Sequence, residues 1–460
     1  MSHYYEGLNL KLLAAIPADA KRVLELGCAN GRLGQRFKED HPQVAWWGVD
    51  CSAEAVATAS AHLDRVFTLD LDAGDLTAVG RDFDVIVIGD LLEHLRRPEA
   101  VLSTLYDLCA EGAHIICCLP NMAHLSVIQR LVVGDISYDE NGLLDRTHSR
   151  FFSLASAFKT FLDAGWLPDL RDQYRVEAPD NAFAACIVDA AEALGLPRKT
   201  AMWNLGIYQM IIVCRKWPMH FLARPSRSVP FSVIVPTNRP WQYELNIARS
   251  PGLAEVQAEV IMVHGASSAA DAYRSGAARA SHAWRVMVHQ DVYFPVGSGY
   301  ALAQKLGALE QAGACELPVG FAGIENLTGA GERPTGPLRR AGMVIDRHSL
   351  FAHGPSASAV SLDEFAVALH ERCAVQIDAR LGWHLWATDL CLQIRELAQQ
   401  PIAQIIDVPL FHNSTNDFTL PSAFEASAAQ LLAKYPKLAR IPTLCGEIER
   451  PRMSAAFELS

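Results

Sequence analysis

Early in the chain, acidic side chains stand at the ends of four short apolar runs. Glu25 lies in VLEL, Asp50 closes WWGVD, Asp70 and Asp72 follow VFTL, and Asp90 follows DVIVIG. A carboxylate at a strand end can bind both hydroxyls of a ribose, which is the role read for Asp50, or accept from an adenine amino group, read for Asp70 or Asp72. Gly27 and Gly31 let the backbone approach a ligand with no Cβ in the way. The pattern around them is Glu-Leu-Gly-x-x-x-Gly, so the G-x-G-x-x-G dinucleotide fingerprint is not met. An acidic residue just before the first glycine disfavours a pyrophosphate and suits a cationic or zwitterionic ligand.

A second set of chemistry-bearing residues lies far downstream. In WRVMVHQDVYFP, His289 and Asp291 are two apart, and on a strand they would face the same side. A carboxylate there can hold Mg²⁺ or Mn²⁺, and the ion would neutralise a diphosphate leaving group. GWHLWATDLCLQIRE, residues 382–396, opens a helix with Trp383, His384 and Asp389, and IIDVPLFHNS, residues 405–414, carries His412 at a strand end.

The elements that must position these residues read as two successive α/β units. Runs at Arg22–Leu26, Ala45–Val49, Val66–Leu69, Asp84–Ile88 and Ala113–Cys118 alternate with helical periodicities at Gly31–Glu39, Ala53–His62 and Pro98–Ala110. That alternation predicts a mostly parallel, doubly wound Rossmann-like sheet, with Tyr208–Arg215 finishing it. KWPMHFLARPSRSVP then holds three prolines and no periodicity, a linker signature. The α/β pattern restarts with Phe231–Val235, Glu259–Val263 and Arg285–Val288. The organisation expected is residues 1–217, a linker over 218–230, and a second domain over 231–460.

Bulk composition agrees with globular domains: 460 residues, half of them hydrophobic and a fifth charged. The formal charge of −11 and the lack of a Lys/Arg cluster argue against nucleic acid as a partner. Eleven scattered cysteines without a CxxC spacing suggest reduced thiols in the core. A polar N-terminal stretch and no apolar run near ~20 residues lead to the expectation of a cytoplasmic protein without a spanning helix, compatible with peripheral membrane contact.

The first region resembles the class I S-adenosylmethionine-dependent methyltransferases through VLELGCANG, GVD and FDVIVIGDLLEHLRRP. The resemblance spans about residues 21–217. It implies that Glu25, Gly27, Cys28 and Gly31 shape the methionine pocket, that Asp50 binds the ribose, and that Asp70 and Leu71 flank the adenine. The turn from Gly89 through Asp90 to Glu93 would face the sulfonium. Leu119–Phe152 sits where an acceptor-binding cap would lie, and it resembles a methyltransferase subfamily found with sugar-polymer genes. An acceptor hydroxyl needs a base, and His148 and His124 are the candidates, with Asp145 as an orienting carboxylate.

The second region resembles family 2-like glycosyltransferases of the GT-A fold, over about residues 230–416, through HQDV, GWHLWATDLCLQ and HNS. The resemblance implies a metal- and diphosphate-associated Asp291 with His289 beside it, Asp389 as catalytic base and His412 as a further ligand. Pro236, Thr237, Asn238, Ala266 and Ser267 would border a nucleotide sugar. The chain departs from the family where the usual acidic pair is replaced by Gly265-Ala266-Ser267-Ser268, and where His289 replaces the first residue of D-x-D. The whole-chain expectation is a bifunctional enzyme, adding a sugar to a glycan acceptor and O-methylating a sugar hydroxyl. The alternatives are a methyltransferase whose second domain only binds glycan or nucleotide sugar, and a non-catalytic scaffold of a glycan-assembly complex.

Overall fold

A computed structural model describes residues 8–73, 75–176, 182–217, 228–326, 338–347, 349–398, 403–415 and 420–450. Most of the expected linker, residues 218–227, lies outside the described residues. The described chain divides into two compact units.

The first unit runs Leu10–Ala15 (α1), Arg22–Leu26 (β1), Arg32–Asp40 (α2), Ala45–Asp50 (β2), Ala53–Ala59 (α3), Arg65–Thr68 (β3), Phe83–Gly89 (β4), Pro98–Leu108 (α4) and Cys109–Pro120 (β5). It continues with Leu125–Val133 (α5), Leu154–Asp163 (α6), Trp166–Arg175 (β6), Ala182–Ala193 (α7), Arg198–Gly206 (α8) and Ile207–Lys216 (β7). Its seven strands are ordered β3-β2-β1-β4-β5-β7-β6. The pairings from β3 through β5 are parallel, and β7 is antiparallel to both β5 and β6. The order reverses between β1 and β4, which opens a crevice outside their carboxyl ends. Helices cover both faces, so Val23, Leu24, Leu26, Val85–Ile88 and Ile115–Cys118 form unbroken buried runs.

The expected closing strand is present as β7, but it inserts between β5 and β6 and does not end the sheet. β6 takes the edge. Its outer half, DLRDQYR, is half-buried or exposed and lacks an apolar run, so sequence periodicity gave no sign of it. Leu125, Ala184, Val188, Ala201 and Leu205 pack α5, α7 and α8 together in a separate small cluster.

The second unit begins Phe231–Thr237 (β8), Pro240–Leu245 (α9), Pro251–Glu255 (α10), Glu259–His264 (β9), Ala269–Ala277 (α11), Trp284–Val288 (β10), Val292–Tyr293 (β11) and Ser298–Gln311 (α12). It continues Val319–Gly320 (β12), Ala322–Asn326 (β13), Leu338–Asp346 (β14), Leu350–Ala352 (β15), Ala359–Leu362 (β16), Ala366–His370 (β17) and Trp386–Ala398 (α13). The remaining elements are Gln404–Ile405 (β18), Phe411–His412 (β19), Ser422–Lys434 (α14) and a hairpin of Arg440–Thr443 (β20) and Gly446–Glu449 (β21). One mixed sheet has the order β18-β12-β17-β10-β8-β9, with β9, β8 and β10 parallel. A second has the order β11-β19-β14-β13-β16.

Seven of the eleven cysteines are buried, as a core placement requires, but Cys51, Cys186 and Cys445 are exposed. Among the described residues, no helix is long and apolar enough to cross a membrane.

Candidate functional site

In the first unit, β1 delivers Glu25 and ends in a turn that needs glycine at Gly27, whose φ is 69°. The Gly27 and Cys28 amides both donate to Val49 O, at 2.8 and 3.1 Å, which pins the turn onto the end of β2. Ala29 sits at φ 45°, a strained value for a residue with a Cβ, and its N–H donates to Asp50 Oδ2 at 2.9 Å. Asp50 Oδ1 accepts from Ser52 N at 2.9 Å. Gly34, one turn into α2, has no room for a side chain: a Cβ would lie 2.5 Å from Trp46 Nε1. That close approach leaves the indole N–H to donate to Glu25 Oε2 at 2.9 Å. Burial, outweighing the Trp46 hydrogen bond, pushes the Glu25 carboxyl up to about 8.

Other expected cofactor residues sit differently. Cys28 is a core residue: it is 3 % exposed, and its sulfur packs against Gly48 in the cluster with Leu63. A cofactor could meet its backbone, not its thiol. Asp72 accepts from the Arg96 amide at 2.9 Å and from Arg96 Nε at 3.3 Å, whereas Asp70 is exposed and, among the described residues, accepts a local bond from Asp72 N. Leu71 is half-buried next to it. Asp90, at a strained φ of 48°, is held against β5 and β7, where its Oδ1 accepts from Gln209 Nε2 at 2.7 Å and Cys118 Sγ at 3.3 Å.

The stretch after β5 folds back onto the turn after β4. Ser149 N and Arg150 N both donate to Glu93 O, at 2.7 and 2.9 Å. This brings His148 against His94, with ring centroids 4.9 Å apart. Thr147 donates its hydroxyl to Asp145 Oδ1 at 2.6 Å, and Asp145 lies close enough for the His148 and His94 charges to act on it. His124 does not join this group. Its Nδ1 accepts from Ser126 N at 3.3 Å to cap α5, and its ring stands edge-on to Tyr208. Of the two histidines put forward as a base, only His148 therefore stands beside the strand-end turn. Glu93 and His94 were not singled out as a pair; they sit in a short turn, Leu92–His94, a few residues beyond the end of β4.

In the second unit, β10 ends at Val288, so His289-Gln290-Asp291 forms a turn and not the strand alternation expected. The side chains converge for another reason: β11 pairs with β19, setting Val292 opposite His412. His289 Nδ1 lies 3.3 Å from His412 Nε2, which is 3.5 Å from Asp291 Oδ1. Burial alone would raise Asp291, but the His412 and His289 rings outweigh it and hold the carboxyl at about 2. Gln290, not picked out from sequence, ties this turn to the end of β8. Its Oε1 accepts from Asn238 N and Arg239 N at 3.1 and 2.8 Å, and its Nε2 donates to Asn238 Oδ1 at 2.7 Å.

Pro236 is half-buried, and the buried Thr237 donates its hydroxyl to Val235 O. Ser267 donates through N and Oγ to Asp271 Oδ2, and Ser268 caps α11, so this loop closes on its own helix. Ala266 packs against the β9–α11 cluster.

Asp389 is not placed as a base. It is fully buried, and its carboxylate accepts from Gln393 Nε2 at 2.6 Å, Lys434 Nζ at 2.8 Å and Tyr435 OH at 2.8 Å. It locks α13 to the end of α14. Glu364 accepts from the Leu385 and Trp386 amides at the start of α13, and burial and the Asp363 charge raise its carboxyl well above the usual range.

Residues 24–115 match the family model of a methyltransferase domain. The chain is similar to the ubiquinone biosynthesis O-methyltransferase of Cereibacter sphaeroides, with 29% identity over 110 residues, covering 23% of this chain and 44% of that protein. It is also similar to the protein of that name in Psychrobacter arcticus, with 28% identity over 157 residues, covering 32% of this chain and 59% of the other. The chain thus spans about half the length of the curated relatives it matches. Among solved structures it is similar to an S-adenosylmethionine-dependent methyltransferase from Archaeoglobus fulgidus, with 16% identity, 47% of this chain and 97% of the other covered, and a TM-score of 0.33. One from Mesorhizobium loti gives 15%, 45%, 96% and 0.30. Over residues 24–115 the N-terminal region therefore resembles a methyltransferase domain.

Proposed function

We propose that the first unit transfers a methyl group from S-adenosylmethionine to a hydroxyl oxygen of a sugar or glycan. The observation that carries cofactor binding is the reversal of strand order between β1 and β4, with Glu25, Asp50 and Asp70 near the carboxyl ends of β1, β2 and β3. The residues fit the cofactor. Each Asp50 oxygen takes one backbone N–H, and a carboxylate has about four acceptor sites, so each keeps one for a ribose hydroxyl. Glu25, neutral-leaning when buried alone, gains a counter-charge when a cationic ligand lies in the crevice. When bound, S-adenosylmethionine supplies an electrophilic methyl on a sulfonium. Similarity to proteins named as O-methyltransferases supports transfer to oxygen, and the cap segment with its sugar-polymer resemblance supports a glycan acceptor.

Calorimetry tests the cofactor half of this reading. Asp50→Ala removes charge-assisted hydrogen bonds of about 1.5–3 kcal/mol each, so affinity for S-adenosylmethionine should fall at least about tenfold. An unchanged affinity would sink it. Mass spectrometry of glycan acceptors incubated with and without the cofactor tests the acceptor.

For the second unit, the His289–Asp291–His412 cluster favours a GT-A glycosyltransferase reading. The three ligand atoms lie within 4.8 Å of one another beyond the carboxyl end of β10, beside the end of the parallel neighbour β8. Two imidazoles and a carboxylate fit Mn²⁺ better than Mg²⁺, and the ion would neutralise the diphosphate of a nucleotide sugar. The inward-tied Asp389 favours the alternative of a domain that binds such a ligand without transferring it.

A further inference from the structure

The strands that bring Asp291 to His412 are very short. β11 and β19 have two residues each, and β11 is the edge strand of its sheet, joined to it through β19. The pairing between them is Val292 with His412 and Tyr293 with Phe411. An edge strand of that length has little pairing of its own to hold it. The spacing of the His289–Asp291–His412 side chains therefore needs support from outside the ladder.

A buried polar network supplies it. Asn413, directly after His412, donates its backbone N–H to Asp291 O at 2.9 Å. Its Nδ2 donates to Asn246 Oδ1, also at 2.9 Å. Asn246 follows α9 and is 1 % exposed, and its own Nδ2 donates to Gln242 O at 2.7 Å. The Asn246 carbonyl accepts from Ser250 Oγ at 3.0 Å, and that Oγ accepts from Phe294 N at 2.9 Å. One arm of the network thus grips the residue after His412, and the other grips the residue after β11. Buried amides cost stability unless they are paired, whereas an apolar side chain of that size would fill the place without partners. What a fully paired network adds is rigidity and a single geometry.

We propose that Asn246 is a positioning residue, which acts through Asn413 to set the distance between His412 and Asp291 and thereby the affinity of their cluster for a divalent cation. The inference rests on the reading of that cluster as a metal site in the second unit. Ligand atoms bind an ion tightly only when they are held at the right separation, and the groups that orient them typically account for 10–100-fold in metal affinity. Asn246 touches neither the ion's ligand atoms nor any substrate; its whole effect passes through the Asn413 side chain. Asn246 lies 167 positions before Asn413, so no local pattern announces the pair.

The test is titration of the full chain with Mn²⁺, followed by the electron paramagnetic resonance of the free ion. The site in question is the one whose binding disappears in Asp291→Ala. Asn246→Leu removes the acceptor and keeps the bulk, and Asn413→Ala removes the donor. Each should weaken Mn²⁺ binding at least about tenfold, and the double variant should lose no more than the worse single one, because both cut the same link. Ser427→Ala breaks a buried bond to Leu381 O elsewhere in the unit and should bind Mn²⁺ as the parent does. With saturating Co²⁺, the visible band of Asn246→Leu should shift, a mark of altered ligand geometry that lowered stability alone does not produce. Thermal melts establish that each variant is folded during the titration, and Asn413→Ala decides the matter if Asn246→Leu is not. A parent without Mn²⁺ binding that Asp291→Ala removes would sink the metal reading, and the inference with it. Parent-like Mn²⁺ binding in the folded variants, or an equal loss in Ser427→Ala, overturns the inference alone.

Discussion

Glu25 shows how one buried side chain ties the stability of the fold to pH. Its carboxyl is raised from an ordinary 4.5 to about 8, so the folded chain holds a proton that the unfolded chain releases. The stability contributed by this proton is full below pH 4.5 and is lost as pH rises through about 8. A tenfold change in proton affinity corresponds to about 1.4 kcal/mol, and 1 kcal/mol moves the melting temperature of a domain of this size by roughly 2–4 °C. Glu25→Gln should therefore melt several degrees above the parent at pH 8.5 and match it near pH 4, with Trp46 still able to donate to the amide oxygen. An equal difference at both pH values would contradict this. The Asp50 prediction belongs to the same scale, because there one carboxylate receives one N–H on each oxygen and has acceptor capacity left.

At the scale of elements, the chemistry depends on which segments are tied together. β11 on β19 assembles the His289–Asp291–His412 cluster, and the Glu93 carbonyl receiving Ser149 and Arg150 brings His148 to His94. Asp389 acts at this scale through its buried contacts. It joins α13 to Lys434 and Tyr435, and removing one partner of a buried ion pair costs about 3–5 kcal/mol. Asp389→Asn should lower the unfolding free energy by an amount of that order, read by urea unfolding. A variant as stable as the parent would contradict this anchoring. Helix periodicity located α13 well, but no local pattern shows what a side chain will meet on α14.

At the scale of the whole chain, the seven strands and every residue assigned to the cofactor lie before position 217, and the second cluster lies beyond 288. The segment 1–217 expressed alone should thus bind S-adenosylmethionine within about threefold of the full chain, a difference below 1 kcal/mol. Calorimetry on the two proteins checks this, and a loss beyond tenfold would mean that the first site draws on later residues.

Taken alone, the sequence determined the α/β alternation of both units, nearly all the strands of the first sheet, and the carboxylates at its strand ends. These are local matters: buried parallel strands need continuous apolar runs, and a sharp turn at positive φ needs glycine at Gly27. Only the tertiary structure decided that β7 lies inside β6, that His124 caps a helix, that Asp389 faces Lys434, and that His94 meets His148. His289 and His412 are 123 positions apart, and their approach is set by strand pairing across that distance. Side-chain partners of that kind follow from the packing of whole elements, which no short window of residues encodes.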